Sequence, residues 1–455
     1  TRLSILDLNE RSNQPFTDYV DDCVLAFNGE IYNFIELKNT LLKDGISFRT
    51  NSDTEVILHS WRKWGNECFG KFKGMFALAI WNPTKNELTL ARDRFGEKPL
   101  YYTKTANNQF FFSSELRTTI RISGNDQICP SSLNDFLFFN YIASPNSLIK
   151  GIKKLNPGSY ATWSKSKFQE FKYWTLPSPS SSIPPQESQT EIRDKLVNSI
   201  QNTLKSDVPL GLCLSGGVDS SAIAALAKKE LNFSLDCISV GYEGYPDCDE
   251  SLAAKATSDM FGHTFHRVRL GNDDILEVFP KMVEAIDEPV SDISSISYFS
   301  IYQKSKSLGL KVMLGGIGAD EIFNGYEFHN RNILNSEERQ NKQALEIQRS
   351  SSSHGWDNQI LWVEKPFPAN QVPNFFRNTI AHSINPQRLP SRSLTKSDNE
   401  SWFKAMRRML VSHWLEGNCL SLIDKLSMRF SIESRSPYLY TDISEYALKL
   451  CPKSS

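Results

Sequence analysis

The most constraining feature of this sequence is a glycine-rich turn between an apolar stretch and a run of helix-forming residues. The turn reads Leu214-Ser215-Gly216-Gly217-Val218-Asp219-Ser220-Ser221. Residues 208–214 have the pattern of a short buried strand, and residues 221–229 are strong helix formers. Such a turn presents free backbone N–H groups at a helix start, where the helix dipole also favours an anion. The sequence therefore predicts a phosphate-binding loop.

The spacing within this loop argues against the commonest phosphate-binding motif. A Walker A loop ends in Lys followed by Ser or Thr, and this turn has no lysine at its end. The turn instead resembles the loop of ATP pyrophosphatases, which cleave ATP between the α- and β-phosphates. That resemblance implies that Asp219 holds a magnesium ion and that pyrophosphate is held by Ser215, Gly216, Gly217 and Ser220. The alternative is an ordinary strand-to-helix turn rich in small residues.

Length and composition set the broad class. A chain of 455 residues is expected to form about two or three domains. With 51 Lys and Arg against 52 Asp and Glu, the charge balance suggests neither nucleic acid nor a membrane as partner. A long apolar run and a leader pattern are both missing, so we expect a cytoplasmic protein. The eight scattered cysteines indicate neither disulfides nor a structural metal.

The pattern of the chain changes near residue 175. Residues 1–175 combine two helical patterns, 34–43 and 54–64, with short strand-like runs, which predicts an α+β layer arrangement. The strand-like runs cover residues 24–27, 75–81, 87–92, 99–102 and 110–113. Residues 176–190 are rich in proline and serine, so we expect an exposed linker there.

Beyond the linker, strands alternate with helical segments, and this alternation predicts a doubly wound parallel sheet. Its strands are expected at residues 210–214, 236–242, 265–270 and 311–314. Ligands of such sheets bind at the carboxyl ends of the strands, where the glycine-rich loop lies. Residues 331–399 are polar and irregular, which predicts partly mobile connections. Helical patterns return at residues 402–415 and 420–428.

Further motifs accompany the loop, and in their order and spacing they resemble the glutamine-hydrolysing asparagine synthetase family over nearly the whole chain. The motifs include Asn28-Gly29-Glu30-Ile31-Tyr32-Asn33, Ser52-Asp53-Thr54-Glu55, Arg92-Asp93-Arg94-Phe95-Gly96-Glu97-Lys98-Pro99, Asp287-Glu288-Pro289, Gly315-Gly316-Ile317-Gly318-Ala319-Asp320-Glu321, Asp424-Lys425-Leu426-Ser427-Met428 and Glu433-Ser434-Arg435-Ser436-Pro437. The resemblance implies a glutaminase domain of the Ntn-hydrolase (class II glutamine amidotransferase) fold in residues 1–175. It implies an ATP-dependent synthetase domain of the ATP pyrophosphatase type in residues 191–455.

In this family glutamine gives up its amide nitrogen in the first domain, and ammonia travels inside the protein. An acyl adenylate formed from ATP and a small carboxylic acid, aspartate by default, is then converted to an amide. Carried over to this sequence, Arg2 pairs with the glutamine α-carboxylate, and Glu30 and Asp53 bind its α-amino end. Asn28 and Gly29 form the oxyanion hole. Without the family, Asn28-Gly29 is interpreted as a tight turn between strands.

In the second domain the resemblance assigns adenine and ribose contacts to Leu214 and Val240. It assigns further nucleotide contacts to Gly315 and Gly316, and it makes Asp219 and Asp320 the Mg²⁺ ligands. Two carboxylates at the ends of different parallel strands can converge on one pyrophosphate-bound cation. Taken alone, Asp320 has an alternative interpretation as a helix N-cap after glycines.

The chain departs from the family pattern at several positions. The family nucleophile is a cysteine at the mature N-terminus, whereas this chain starts at Thr1, so we expect it to be truncated there and after residue 455. Ile317 replaces an acidic residue that assists proton transfer, and Leu422 replaces a lysine found in some relatives. These two changes leave the nucleotide-binding residues intact but cast doubt on aspartate as the acceptor.

Alternatives to aspartate amidation remain open at this point. The same chemistry could act on another acid, such as a uronic acid sugar in polysaccharide assembly. A nucleotide-binding protein that has lost turnover is a second alternative. A transfer-RNA-modifying enzyme is disfavoured because the sequence has neither a basic stripe nor paired cysteines. A homodimer is possible.

Overall fold

The computed structural model describes residues 3–17, 22–178, 185–326 and 402–450. The predicted mobile stretch 331–399 lies outside these ranges. Within them, no helix is both long and apolar enough to cross a membrane.

The first half is built on a six-stranded antiparallel sheet in the order β1-β2-β3-β4-β8-β9 and a three-stranded sheet in the order β6-β5-β7. The strands are β1 Phe16–Thr17, β2 Val24–Ile31, β3 Gly74–Asn82, β4 Glu87–Arg92, β5 Tyr101–Lys104, β6 Phe110–Ser113, β7 Ile152–Lys154, β8 Ser159–Ser164 and β9 Lys167–Lys172. The helices are α1 Phe34–Lys43, α2 Asp53–Trp64, α3 Leu116–Ser123 and α4 Pro130–Phe139.

The large sheet is buried on both faces because successive side chains of β3 point in opposite directions. Phe76 and Leu78 pack with α1 and α2 on one side. Ala77 and Ala79 pack on the other side in a cluster that Tyr102 of the small sheet joins. The result is a helix layer and two sheet layers, an α+β arrangement as predicted.

The second half is built on a five-stranded parallel sheet in the order β12-β11-β10-β13-β14. Its strands are β10 Leu210–Cys213, β11 Asp236–Tyr242, β12 Thr264–Leu270, β13 Val312–Leu314 and β14 Glu433–Arg435. Its helices are α5 Pro185–Thr203, α6 Val218–Lys229, α7 Ser251–Phe261, α8 Asn272–Ala285, α9 Ser294–Ser307, α10 Ala319–Phe323, α11 Trp402–Met409, α12 Ser421–Arg429 and α13 Thr441–Lys449. A π-helix, Leu410–Leu420, connects α11 to α12.

Helices cover both faces of this sheet, which makes it doubly wound as predicted. Residues of α5, α6 and α13 pack on one face, and residues of α8, α9 and α12 pack on the other. β11 and β12 lie on one side of β10, and β13 and β14 lie on its other side, so the order in which strands are added changes direction between β10 and β13. In sheets of this kind the crevice at that reversal, at the carboxyl ends of the strands, is where ligands bind.

The structure differs from the sequence prediction at three places in this half. β14 adds a fifth strand that its short length concealed. Residues 185–190, assigned to the linker, form the first turns of α5, where Pro185 suits a helix start because it needs no N–H partner. The predicted helix 402–415 passes into the π-helix at Leu410.

Buried ion pairs join the two halves. Each pair has one partner before residue 175 and one after residue 190. The pairs are Glu30–Arg435 at 3.2 Å, Arg92–Glu416 at 3.1 Å, Lys98–Asp424 at 3.0 Å and Lys154–Glu288 at 2.6 Å.

Candidate active sites

A cavity of about 230 Å³ lies where the large antiparallel sheet meets α12 and β14, and we call it the interdomain cavity. Four of the residues predicted to bind glutamine or its oxyanion line it, namely Asn28, Gly29, Glu30 and Asp53. Arg2, predicted to pair with the glutamine carboxylate, lies outside the described residues. The synthetase half contributes Asp424, Met428 and Glu433 to the same cavity.

Asn28 and Gly29 lie inside β2, opposite Ala77 and Phe76 of β3, so their interpretation as a tight turn is wrong. Gly29 has a φ of 141°, and a Cβ built on it would lie 2.0 Å from the Met75 carbonyl oxygen. Only glycine fits this conformation and this close approach.

Asp53 is the first residue of α2, and Ser52 caps this helix by accepting a hydrogen bond from the Thr54 N–H. The Asp53 carboxylate accepts a hydrogen bond of 3.1 Å from the Ile31 N–H, which holds it beside the end of β2. Burial raises the pKa of Asp53 to about 6. Burial and the nearby Asp53 charge also raise the pKa of Glu30 well above its usual range. A ligand ammonium group would relieve this accumulation of negative charge.

Sequence analysis gave no role to the cations that border this cavity. The buried Arg435 guanidinium contacts Glu30 at 3.2 Å and Glu433 at 2.8 Å. Lys98 contacts Asp424 at 3.0 Å, and Lys425 contacts Glu115 at 3.4 Å. All three cations belong to motifs that carry the family resemblance, but only the folded chain shows which carboxylates they neutralise.

A second and larger cavity, of about 600 Å³, opens at the carboxyl ends of β10, β11 and β13, and we call it the sheet-edge cavity. Most of the residues predicted to bind ATP or magnesium line it, namely Leu214, Ser215, Asp219, Ser220, Val240, Gly315, Gly316 and Asp320. Gly216 and Gly217 complete the loop after β10 but are not among the lining residues.

The glycine-rich loop is held by its own serines. The Ser215 N–H donates to the Ser220 hydroxyl at 3.0 Å, and the Gly217 N–H donates to the Ser215 hydroxyl at 3.1 Å. The Gly216 N–H donates to the Glu250 carboxylate at 3.2 Å. A carboxylate therefore occupies a loop amide that an incoming phosphate oxygen would use.

Asp219 and Asp320 both lie at the edge of the sheet, near enough for the charge of Asp320 to act on Asp219. A Cβ built on Gly316 would lie 3.1 Å from the Asp219 Cβ, so the end of β13 closely approaches the start of α6. Burial raises the pKa of Asp219 to about 6, and the charges of Asp320 and Glu321 contribute to this rise. Asp320 is the second residue of α10, whose N-cap is Gly318, so its interpretation as an N-cap is wrong.

The carboxylates of Asp219 and Asp320 fit a magnesium ion that is also bound by phosphate. Mg²⁺ takes hard oxygen ligands and usually uses one or two carboxylates together with substrate phosphates and water. Within the described ranges, no group of three or more His, Cys, Asp or Glu side chains could hold a metal by itself.

A third, small cavity of about 20 Å³ lies between the other two, and we call it the connecting cavity. It shares Asp424 with the interdomain cavity. It shares Gly315, Ile317 and Ile423 with the sheet-edge cavity. The three cavities therefore form a row from one half of the molecule to the other.

Together, the fold and the two cavities define a two-domain amide-forming enzyme in which a glutaminase half is joined to an ATP-dependent half. Residues 1–174 match the glutamine amidotransferase domain family, and residues 191–454 match the asparagine synthase family. This chain belongs to the asparagine synthase family. The predicted family, fold class and enzyme class are thereby confirmed.

Relatives with similar sequences cover nearly the whole chain. Asparagine synthetase [glutamine-hydrolyzing] 1 of Bacillus subtilis is 33% identical over 99% of this chain and 73% of its own length. A putative asparagine synthetase [glutamine-hydrolyzing] of Mycobacterium bovis is 29% identical over 99% of this chain and 73% of its own length. Amidase chry2 of Gibberella zeae is 25% identical over 99% of this chain and 74% of its own length. The chain is a ligase of the glutamine-hydrolysing asparagine synthase type, which uses ATP for glutamine-dependent amidation.

Proposed function

We propose that this enzyme adenylates a small carboxylic acid at the sheet-edge cavity and converts it to an amide there. The main support is that the end of β13 lies close to the start of α6. The pyrophosphate loop and Asp320 therefore both lie at the crevice between β10 and β13, where the strand order changes direction. In this proposal Leu214 and Val240 contact the adenosine. The polyphosphate is held by Ser215, Gly216, Gly217, Ser220, Gly315 and Gly316.

Asp219 and Asp320 would hold magnesium in this proposal. The bound ion would neutralise charge on the departing pyrophosphate. The chain's own contribution is to hold the two carboxylates close together, with the Asp219 carbonyl fixed by a hydrogen bond of 3.0 Å from the Tyr438 hydroxyl.

The interdomain cavity is the proposed glutamine site. Glu30 and Asp53 would pair with the α-ammonium group of glutamine, and Arg2 would pair with its α-carboxylate. Asn28 and Gly29 would stabilise the oxyanion through preorganised donors. The Asn28 side-chain amide donates to the Ser114 hydroxyl at 3.4 Å, a long hydrogen bond that a substrate oxygen could replace.

The connecting cavity is the proposed route for ammonia. Its volume of about 20 Å³ suits one molecule of the size of water or ammonia. Its walls are shared with both larger cavities, so ammonia released on one side reaches the other without entering solvent.

The acceptor acid has two candidates. The names of the relatives make L-aspartate the default acceptor. A different acid, for example a uronic acid sugar, is the second candidate. It is favoured because Ile317 and Leu422, which carry neither charge nor hydrogen-bonding groups, both line the sheet-edge cavity. A nucleotide-binding protein without turnover is the outcome if no acid reacts.

The proposal also covers the domain limits, the cellular location and the oligomeric state. We propose a glutaminase domain at residues 1–175, a linker at residues 176–190 that overlaps the start of α5, and a synthetase domain from residue 191 onwards. A cytoplasmic location and a homodimer complete the proposal.

The test is pyrophosphate release from ATP and magnesium, with ammonium chloride as the nitrogen source and a panel of acids. Asp219→Asn should reduce release by roughly a hundredfold or more, because it removes a charge opposite the leaving group. The matched control is Asp273→Asn, which changes an exposed carboxylate at the start of α8 and should leave release unchanged. Unchanged release in Asp219→Asn would remove Asp219 from the mechanism.

A further inference from the structure

Among the described residues, the charged side chains that line the sheet-edge cavity are all negative. Its lining carboxylates are Asp219, Glu250, Asp292, Asp320 and Glu321. None of the described lining residues is Lys, Arg or His. In the part of the chain that the structure describes, none of these five carboxylates forms an ion pair.

Two of these carboxylates lie away from the glycine-rich loop and have neutral hydrogen-bond donors. Asp292 accepts from the Asn418 side-chain amide at 2.8 Å and from the Ser294 N–H at 2.9 Å. Glu321 accepts from the Tyr326 hydroxyl at 2.6 Å. Neutral donors satisfy hydrogen bonds but leave the negative charge in place.

The wall next to the connecting cavity is apolar. Ile317 and Ile423 line both cavities, so ammonia would enter between them. Leu422 is 1% exposed and packs in a buried cluster with Phe299 and Leu426. The carboxyl group that receives ammonia must lie near this wall, and the rest of the acceptor must then extend along surface that is apolar, acidic or lined by neutral hydroxyl groups such as those of Ser294 and Ser297.

We infer that the acceptor is an acid with a single carboxylate, whose remaining part is apolar or carries an amine, and that it is not a dicarboxylate. This inference rests on the proposed function and favours a different acid over L-aspartate, but an apolar or amine-bearing acid and not a uronic acid sugar. A second carboxylate in this cavity would lose water and face Asp292 and Glu321, with no Lys, Arg or His among the described lining residues to balance it. An apolar group would instead contact Ile317 and Leu422, and an ammonium group would pair with the acidic side chains.

The experiment compares matched acids on the full chain, by pyrophosphate release with ATP, magnesium and ammonium chloride. The pairs are 3-aminobutanoate against L-aspartate, butanoate against succinate, and hexanoate against adipate. In each pair a methyl group replaces the second carboxylate. We expect kcat/KM to be at least about tenfold higher for the monocarboxylate, the ratio that about 1.4 kcal/mol of discrimination produces.

Each outcome decides a different statement. Higher kcat/KM for the dicarboxylates would overturn this inference and leave the proposed function standing. Absence of pyrophosphate release with every acid would overturn the proposed function and this inference together.

A gain-of-function variant gives a second readout. Leu422→Lys places a cation in the wall and should raise kcat/KM for the dicarboxylate relative to its monocarboxylate partner by about fivefold or more. Since Leu422 is buried, Ile317→Lys is made in parallel at a half-buried position. The control is Leu276→Lys, which adds the same charge at an exposed site on α8 and should leave the ratio unchanged. An unchanged ratio in both folded cavity variants would contradict the inference.

Discussion

The interdomain cavity and the sheet-edge cavity are each lined by five described carboxylates, but the two sets are balanced in different ways. In the interdomain cavity, Glu30 and Glu433 contact Arg435, and the other paired carboxylates contact Lys98 or Lys425. In the sheet-edge cavity, within the described ranges, none of the five contacts a cation of the chain.

This difference indicates two uses of buried charge. Pairs such as Glu30–Arg435 and Lys98–Asp424 cross between the halves, so they hold the halves in register before any ligand binds. The carboxylates of the sheet-edge cavity have no ion-pair partner among the residues that the structure describes, so their charge is available to a ligand cation. Carboxylates that pair with a cation of the chain should therefore affect mainly the free energy of unfolding. Carboxylates that have no such partner in the described ranges should affect mainly ligand binding.

The largest expected effect comes from removing the cation that neutralises two carboxylates of the interdomain cavity. Arg435→Met leaves the buried carboxylates of Glu30 and Glu433 without their cation and should lower the free energy of unfolding by about 3–5 kcal/mol. Urea denaturation measures this loss. Arg193→Met, which breaks an exposed pair with Glu230, is the control and should cost less than about 1 kcal/mol. Equal losses in the two variants would contradict the comparison.

The next effect is the pH dependence of Asp53, whose pKa is raised from 3.8 to about 6 by burial. Between these values the folded protein keeps a proton that the unfolded chain releases, so this group lowers the free energy of unfolding as pH rises. Asp53→Asn removes this dependence. Relative to the original protein, the variant should therefore gain up to about 3 kcal/mol between pH 4 and pH 8.

Denaturation of both proteins at the two pH values measures the gain. An equal stability difference at pH 4 and pH 8 would show that Asp53 does not titrate in this range.

A somewhat smaller effect should come from supplying a cation to the sheet-edge cavity. Magnesium with pyrophosphate, at about a hundred times its dissociation constant, should raise the free energy of unfolding by about 2.7 kcal/mol. Asp219→Asn should abolish most of this gain, whereas Glu115→Gln in the interdomain cavity should retain it. Thermal unfolding measures this gain. If Glu115→Gln abolished the gain and Asp219→Asn retained it, the assignment of magnesium and pyrophosphate to the sheet-edge cavity would be wrong.

The smallest effect concerns Glu250, whose carboxylate accepts the Gly216 N–H at 3.2 Å. Glu250→Gln removes a charge that competes with phosphate and should lower KM for ATP by about two- to fivefold, which is less than about 1 kcal/mol. Asp259→Asn, on the exposed face of α7, is the control and should leave KM unchanged. A higher KM in Glu250→Gln would instead make Glu250 a contributor to ATP binding.

The sequence predicted the parts of the fold that depend on local pattern. The parallel strands at residues 210–214, 236–242, 265–270 and 311–314 agree with the structure to within one residue at each end. Periodicity and turn residues suffice for β10, β11 and β13 because each is a largely buried apolar run between breakers. β12 is an edge strand of mixed composition, and its pattern was still sufficient to place it. The phosphate-binding loop after β10 was also predicted, since the residues that define it are consecutive in the sequence.

Other features escaped sequence analysis because their signal is short or ambiguous. β14 has three residues, too few for a periodic pattern. Asn28-Gly29 has turn propensity, but pairing with β3 keeps it in a strand. The π-helix has the composition of an ordinary helix, yet its altered spacing directs Glu416 towards Arg92 and Asn418 towards Asp292.

By itself the sequence determined four of the five strands of the parallel sheet, where the phosphate-binding loop lies, and which family the chain resembles. Only the tertiary structure decided which carboxylates are neutralised and which are left for a ligand. Glu30 and Arg435 are 405 positions apart, and their contact exists because the packing of the two halves brings β2 and β14 together. Interactions between charges depend on distance and burial in space, and the order of residues along a chain specifies neither until the chain has folded.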